Sequence, residues 1–172
     1  MSNVMISVEP SRGALNILDI LTAASIHTNV KAACRREVLS LLAQTLAAQT
    51  SATVEDICTA LHERERLGST ALGNGLAVPH ANVRGLRGYH AAMVLLSEPV
   101  RFAEADEKPV SIAIALISAE GQYDPRFLAS IARTFRHAEV TSELMRLDSP
   151  EAVYERLVTL FGAANAERRN DS

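Results

Sequence analysis

Between Val110 and Ser118 the chain places Ile112, Ile114 and Leu116 in alternation with Ala113 and Ala115. Alternation at a period of two is the mark of a strand, but here both faces of the strand are apolar. Such a strand must lie inside a sheet that is covered by other elements on each side. That requirement rules out an open two-layer arrangement and points to an α/β sandwich. The cover has to come from aliphatic residues, because aromatics make up 4% of the chain and tryptophan is absent.

The rest of the sequence supplies both sheet and cover. Short apolar runs of strand length recur at Leu76–Val78 and His90–Leu96, and another strand is expected near Ser25–Val30. A short first helix is expected over Leu15–Leu21. A longer one is expected over Lys31–Ala48, with Leu39, Leu42 and Leu46 on one face. Thr53 reads as an N-cap, followed by Glu55 and Asp56 in the first turn and by a stripe of Val54, Ile57, Cys58 and Leu61. That helix should stop at Leu67-Gly68. After the alternating strand, Leu128, Ile131, Ala132 and Phe135 restore helical spacing, and a short helix is expected over Thr141–Leu147. Ser149-Pro150 opens a last helix that buries Val153, Leu157, Leu160 and Phe161. The expected fold is α/β, a mixed sheet flanked by helices on both faces. A single domain over residues 15–161 follows, with flexible segments at 1–14 and 162–172.

At 172 residues the chain is long enough to bury a real core. A net charge of −3 argues against nucleic acid as the main partner. No apolar run approaches the ~20 residues that span a bilayer, and the first ten residues lack a signal-peptide core. Cys34 and Cys58 lie in helical patterns without metal spacing and read as reduced core or near-core thiols. A cytoplasmic protein without membrane insertion is expected.

Phosphate loops, dinucleotide fingerprints and nucleophile elbows are missing. His62-Glu63-Arg64-Glu65-Arg66 begins like a zinc-protease helix but lacks the second histidine, so neither a metal nor a cofactor is expected. The remaining candidate is His80, which follows two glycines and a proline in Gly73-Asn74-Gly75-Leu76-Ala77-Val78-Pro79-His80. An imidazole offers a neutral nucleophilic nitrogen near pH 7. On local sequence alone, a reactive histidine and a satisfied structural one stand level. Arg64 and Arg66 alone read as a solvated face.

A longer match separates these readings. Arg64-Glu65-Arg66-Leu67-Gly68-Ser69-Thr70-Ala71-Leu72-Gly73-Asn74-Gly75-Leu76-Ala77-Val78-Pro79-His80 resembles the active-site segment R-E-x-L-G-S-T-x-x-G-x-G-I-A-I-P-H. That segment belongs to enzyme IIA proteins of the fructose/mannitol/nitrogen class of the bacterial phosphotransferase system. Phe102-Ala103-Glu104-Ala105-Asp106-Glu107-Lys108-Pro109-Val110 resembles the F-x-A-x-D-x-x-P-V segment of the same family. Leu18-Asp19-Ile20-Leu21-Thr22 resembles the opening of its nitrogen-type members.

The resemblance implies an enzyme IIA fold with the histidine in a shallow surface depression. It implies that His80 accepts a phosphoryl group from a phosphohistidine on an HPr-like carrier, and that Arg64 stabilises that group. Backbone N–H groups beside Gly73 and Gly75 are further candidate anion contacts. Family members usually carry a second active-site histidine, and alignment on Ile131-Ala132-Arg133 puts Asp124 or a neighbour at its position. An aspartate there would orient the imidazole of His80 by a hydrogen bond, or repel a dianionic phosphoryl group.

The expected function is therefore that of a freestanding phosphocarrier and regulator of the nitrogen type, passing its phosphoryl group on or holding it as a signal. Its partners would be the carrier and regulatory target proteins. Two alternatives are a non-phosphorylated interaction module of the same fold and a sugar-specific IIA that hands its phosphoryl group to a IIB component.

Overall fold

The structure, a computed structural model, describes the backbone of residues 15–106, 108–122 and 124–170, and side chains up to residue 162. The segment at 1–14 expected to be flexible, and residues 171–172, lie outside the described residues. Two single-turn 3-10 helices, Ile17–Asp19 and Ala23–Ser25, lead into β1 (Ile26–Val30). Then come α1 (Arg35–Ala47), α2 (Val54–Arg66), β2 (Ala71–Gly73), β3 (Leu76–Ala77), β4 (His80–Asn82), β5 (Tyr89–Val100) and β6 (Val110–Ser118). Three helices close the chain: α3 (Pro125–Thr134), α4 (Ala138–Leu144) and α5 (Pro150–Asn170).

The strands form one mixed sheet in the order β1-β5-β6-β3-β2, with β4 also paired to β6. β5 and β6 run antiparallel, from Tyr89 opposite Ser118 to Val100 opposite Val110. β1 lies parallel to β5, and both β3 and β4 lie parallel to β6. The alternation in β6 sorts its residues between two cores. Ile112, Ile114 and Leu116 pack with α3, α4, α5 and the 3-10 turns, through Phe127, Ile131, Phe135, Leu144, Val153, Leu157 and Phe161. Ala113, Ala115 and Ile117 face α1 and α2, meeting Val38, Leu39, Leu42, Leu46, Ile57 and Leu61. The expected mixed sheet with helices on both faces is what forms. The small alanine side chains let the α1–α2 layer seat close against the strand.

Where the elements differ from expectation, the reasons are local. β2 and β4 are three residues each, too short to print a period. The helix expected over Thr141–Leu147 sits at Ala138–Leu144, because His137 is extended and serves as its cap position. Val140 and Leu144, four apart, then pack on the core. α2 is capped by Thr53, whose side chain accepts the Asp56 N–H. α5 runs on to Asn170, beyond the boundary at 161. Its last residues, Ala-Ala-Asn-Ala-Glu-Arg-Arg-Asn, are mostly strong helix formers that lack an apolar stripe. Helix propensity carries the backbone on where amphipathic periodicity stops.

Two substitutions test the asymmetry of β6. Ile114→Ala opens a cavity in one core and should cost about 2–5 kcal/mol in urea unfolding. Ala115→Leu overfills the face toward α1 and α2 and should cost about 1–3 kcal/mol. Leu72→Ala, at a position 51% exposed, should stay within about 0.5 kcal/mol of the parent.

Candidate functional site

β3 and β4 are one strand with a break in it. Leu76 pairs with Ile112 and His80 with Leu116, so the register is kept across the interruption at Val78-Pro79. Pro79 has no N–H to give, though its carbonyl still accepts the Leu116 N–H at 2.9 Å. The Val78 N–H turns to the Thr70 carbonyl, at 3.0 Å. The Val78 carbonyl turns to the imidazole of His80, 2.9 Å from Nδ1. The break thus hands a main-chain acceptor to a side chain.

Two helices, one from each layer, flank this edge of the sheet. The C-terminal end of α2 brings Arg64, whose Nε–H donates to His80 Nε2 at 3.3 Å and whose Nη1 donates to the Gly68 carbonyl at 3.1 Å. The N-terminal end of α3 brings Asp124. Between them lies an open depression of about 580 Å³, lined by His80, Arg64, Asp124, Glu63, Asn82, Ser118 and Tyr89, with Leu67, Phe127 and Leu128 as apolar walls.

These two partners of His80 favour one protonation state. A carbonyl only accepts, so Nδ1 carries the hydrogen; a guanidinium only donates, so Nε2 presents a lone pair. The result is a neutral imidazole with its nucleophilic nitrogen beside the cation. Burial pushes the pKa of His80 below its ordinary value, and the charge of Arg64 adds to this. The Val78 carbonyl and Glu65 act in the opposite sense and are outweighed. His90, buried with Nε2 3.0 Å from the Arg87 carbonyl, is also lowered by burial.

The carboxylate of Asp124 is engaged by its own helix rather than by the imidazole of His80. Its carboxylate caps α3 by accepting the Arg126 N–H at 2.9 Å, and it pairs with the Arg126 guanidinium at 3.1 Å. Those hydrogen bonds hold its carboxyl below the usual range, so a negative charge sits on the wall of the His80 depression. The orienting contact to Nδ1 comes from Val78. The glycines also differ from expectation. Gly73, Asn74 and Gly75 form the β2–β3 turn with φ of +86°, +53° and +79°, outside the lining of the depression. A Cβ at Gly75 would meet Thr141 Cγ2 at 3.3 Å. Their positive φ serves a left-handed turn, and Gly75 in addition a close approach.

Sequence reasoning missed Glu65, Thr70 and the Val78 carbonyl. Glu65 and Thr70 are both 3% exposed. Glu65 accepts the Thr70 N–H at 3.0 Å and its hydroxyl at 2.6 Å. Asp106 joins the same scaffold, accepting from the Ser69 hydroxyl at 3.0 Å and from the Ala103 N–H at 2.7 Å. A buried acid flanked by a loop with Ser-Thr is the signal that was available. Among the described residues no three His, Cys, Asp or Glu side chains gather as metal ligands, and no helix is long and apolar enough to cross a membrane.

A family model described as "Phosphoenolpyruvate-dependent sugar phosphotransferase system, EIIA 2" matches residues 19–159. A nitrogen regulatory protein of Pseudomonas aeruginosa is 30% identical over 147 residues, covering 84% of this chain and 96% of its own length. The crystal structure of nitrogen regulatory protein IIA-Ntr from Neisseria meningitidis superposes with a TM-score of 0.76 at 29% identity, over 82% of this chain and 98% of that one. Enzyme IIAMTL of Escherichia coli, solved in complex with phosphorylated enzyme IIBMTL, gives 0.66 at 21% identity, over 84% and 99%; at that distance the likeness is one of fold.

In an NMR titration the His80 ring should change protonation below pH 6.5, and above that pH it should show the neutral Nδ1–H tautomer. The folded pKa is depressed, so the contribution of His80 to stability is complete above about pH 6.5 and is lost as pH falls through its folded-state value. A midpoint at or above 6.5 would contradict the geometry.

Proposed function

The chain belongs to the EIIA 2 family of the phosphoenolpyruvate-dependent sugar phosphotransferase system, and from that premise we propose that it carries a phosphoryl group on His80 Nε2. The observation that supports this most is the opposed pair of hydrogen bonds on one ring, Nδ1–H to Val78 and Nε2 from Arg64. A donor phosphohistidine docks over the depression, and Nε2 attacks phosphorus in line. The new P–N bond forms as the P–N bond to the donor ring breaks. The proton on Nδ1 stays where it is, and the positive charge growing on the ring strengthens its bond to the Val78 carbonyl. Arg64 shifts its fork from Nε2 to the equatorial oxygens as they arrive.

The donor is an HPr-like carrier, whose exposed phosphohistidine suits an open depression with apolar walls. The relatives called nitrogen regulatory proteins favour a regulatory role, in which the phosphoryl group decides which protein is bound. A sugar-type role would pass it to a IIB component.

Asp124 supports a second reading, an interaction module that stays unphosphorylated. Its carboxylate lines the same depression as His80, and repulsion of a bound dianion there would shorten the life of the phosphorylated state. Asp124→Asn keeps a good N-cap and removes that charge.

Incubation with phosphoenolpyruvate, enzyme I and an HPr-like carrier should add about 80 Da, the mass of one phosphoryl group. His80→Ala should show no gain, and Arg64→Ala should slow uptake by about 10²-fold or more. Asp124→Asn should lengthen the lifetime of the phosphorylated protein. A wild-type chain that gains no mass, while its partners bind it and His80→Ala alike, establishes the second reading instead.

A further inference from the structure

Among the described residues Glu65 is the one acidic side chain that is buried. It does not line the depression, and no step of phosphoryl transfer uses it. A carboxylate in a core is costly unless its oxygens are well bonded, so its surroundings indicate what holds it there. Both oxygens are taken by one residue: Oε1 by the Thr70 N–H and Oε2 by the Thr70 hydroxyl. Closing the turn after α2 does not need a charge, since the Leu67 and Gly68 N–H groups already bond back to Arg64 and Glu65 carbonyls.

What the double bond to Thr70 does fix is the next link. The Thr70 carbonyl accepts the Val78 N–H, and the carbonyl of the same Val78 accepts from His80 Nδ1. Glu65 also follows Arg64 directly on α2, so one turn of helix anchors these two contacts of the imidazole. We propose that Glu65 is a positioning residue: through Thr70 and Val78 it holds His80 as the Nδ1–H tautomer, with Nε2 turned toward Arg64. Loosening Thr70 lets the Val78 carbonyl drift from Nδ1, and the ring then populates the Nε2–H form as well. That form has no lone pair on Nε2 and does not attack phosphorus. The kinetic consequence rests on the phosphoryl-acceptor reading; the tautomer assignment does not.

The test compares wild type with Glu65→Gln, Thr70→Val and Thr70→Ser, reading His80 ring nitrogen shifts by NMR above pH 7 and phosphoryl uptake from the carrier. Glutamine offers one acceptor oxygen for two donors, and valine removes the hydroxyl while keeping the shape. Both variants should show a growing Nε2–H population and uptake slowed by about 10-fold to 10²-fold. Thr70→Ser should restore both. Folded Glu65→Gln and Thr70→Val proteins with the wild-type tautomer overturn the proposal, whatever their rate. Should Glu65→Gln fail to fold, Thr70→Val decides by the same criterion. A wild type that takes no phosphoryl group, with a tautomer that shifts in the variants, sinks the acceptor reading and upholds this one. Normal wild-type uptake with an unmoved tautomer does the reverse.

Discussion

The antiparallel pairing of β5 with β6 is the constraint on which the molecule depends. Each strand is apolar on both faces, so neither is stable until helices cover the pair from both sides. Ile114 and Ala115 are adjacent in sequence yet belong to different cores. The sheet therefore ties two helix layers together through single peptide bonds, and disturbance of either layer reaches the other. The functional edge inherits this arrangement. α2 belongs to one layer and α3 to the other, and they meet around His80 only because the sheet between them ends at β4.

That geometry explains why the imidazole is so fully specified. Its donor nitrogen is served by the strand itself, at a break that keeps register. Its acceptor nitrogen is served by a helix end from across the sheet edge. Charge on the opposite wall comes from Asp124, whose attachment to Arg126 is part of the α3 cap. The neighbours of the site are thus terminal residues of regular elements, which rigid packing places more reproducibly than loops would.

Much of the fold was legible because it rests on periodicity. The alternation in Val110–Ser118, the Thr53 cap and the Ser149-Pro150 start each have one physical meaning. The short strands and the register of α4 were not, since three residues print no period and a cap without a side-chain hydrogen bond leaves no mark. His80 and Arg64 stood out through a long motif, whereas their supports did not. Glu65 and Thr70 are polar residues whose role depends on burial, and burial is set by helices distant in sequence. Asp124 shows the converse: alignment draws attention to it and it lines the depression, but its carboxylate is engaged by Arg126, two residues away on its own helix.

Arg64 is held at two points, and only one of them faces His80. The arm on the Gly68 carbonyl stays inside its own helix end, so the proposed exchange of a lone pair for phosphoryl oxygens would ask for a pivot about a fixed hinge instead of a search by a loose chain. On the proposed phosphoryl-acceptor reading, the resting and loaded forms would differ little in the anchoring of Arg64. On that reading, a partner that distinguishes them would read the added charge at the surface rather than a change of shape carried through the fold.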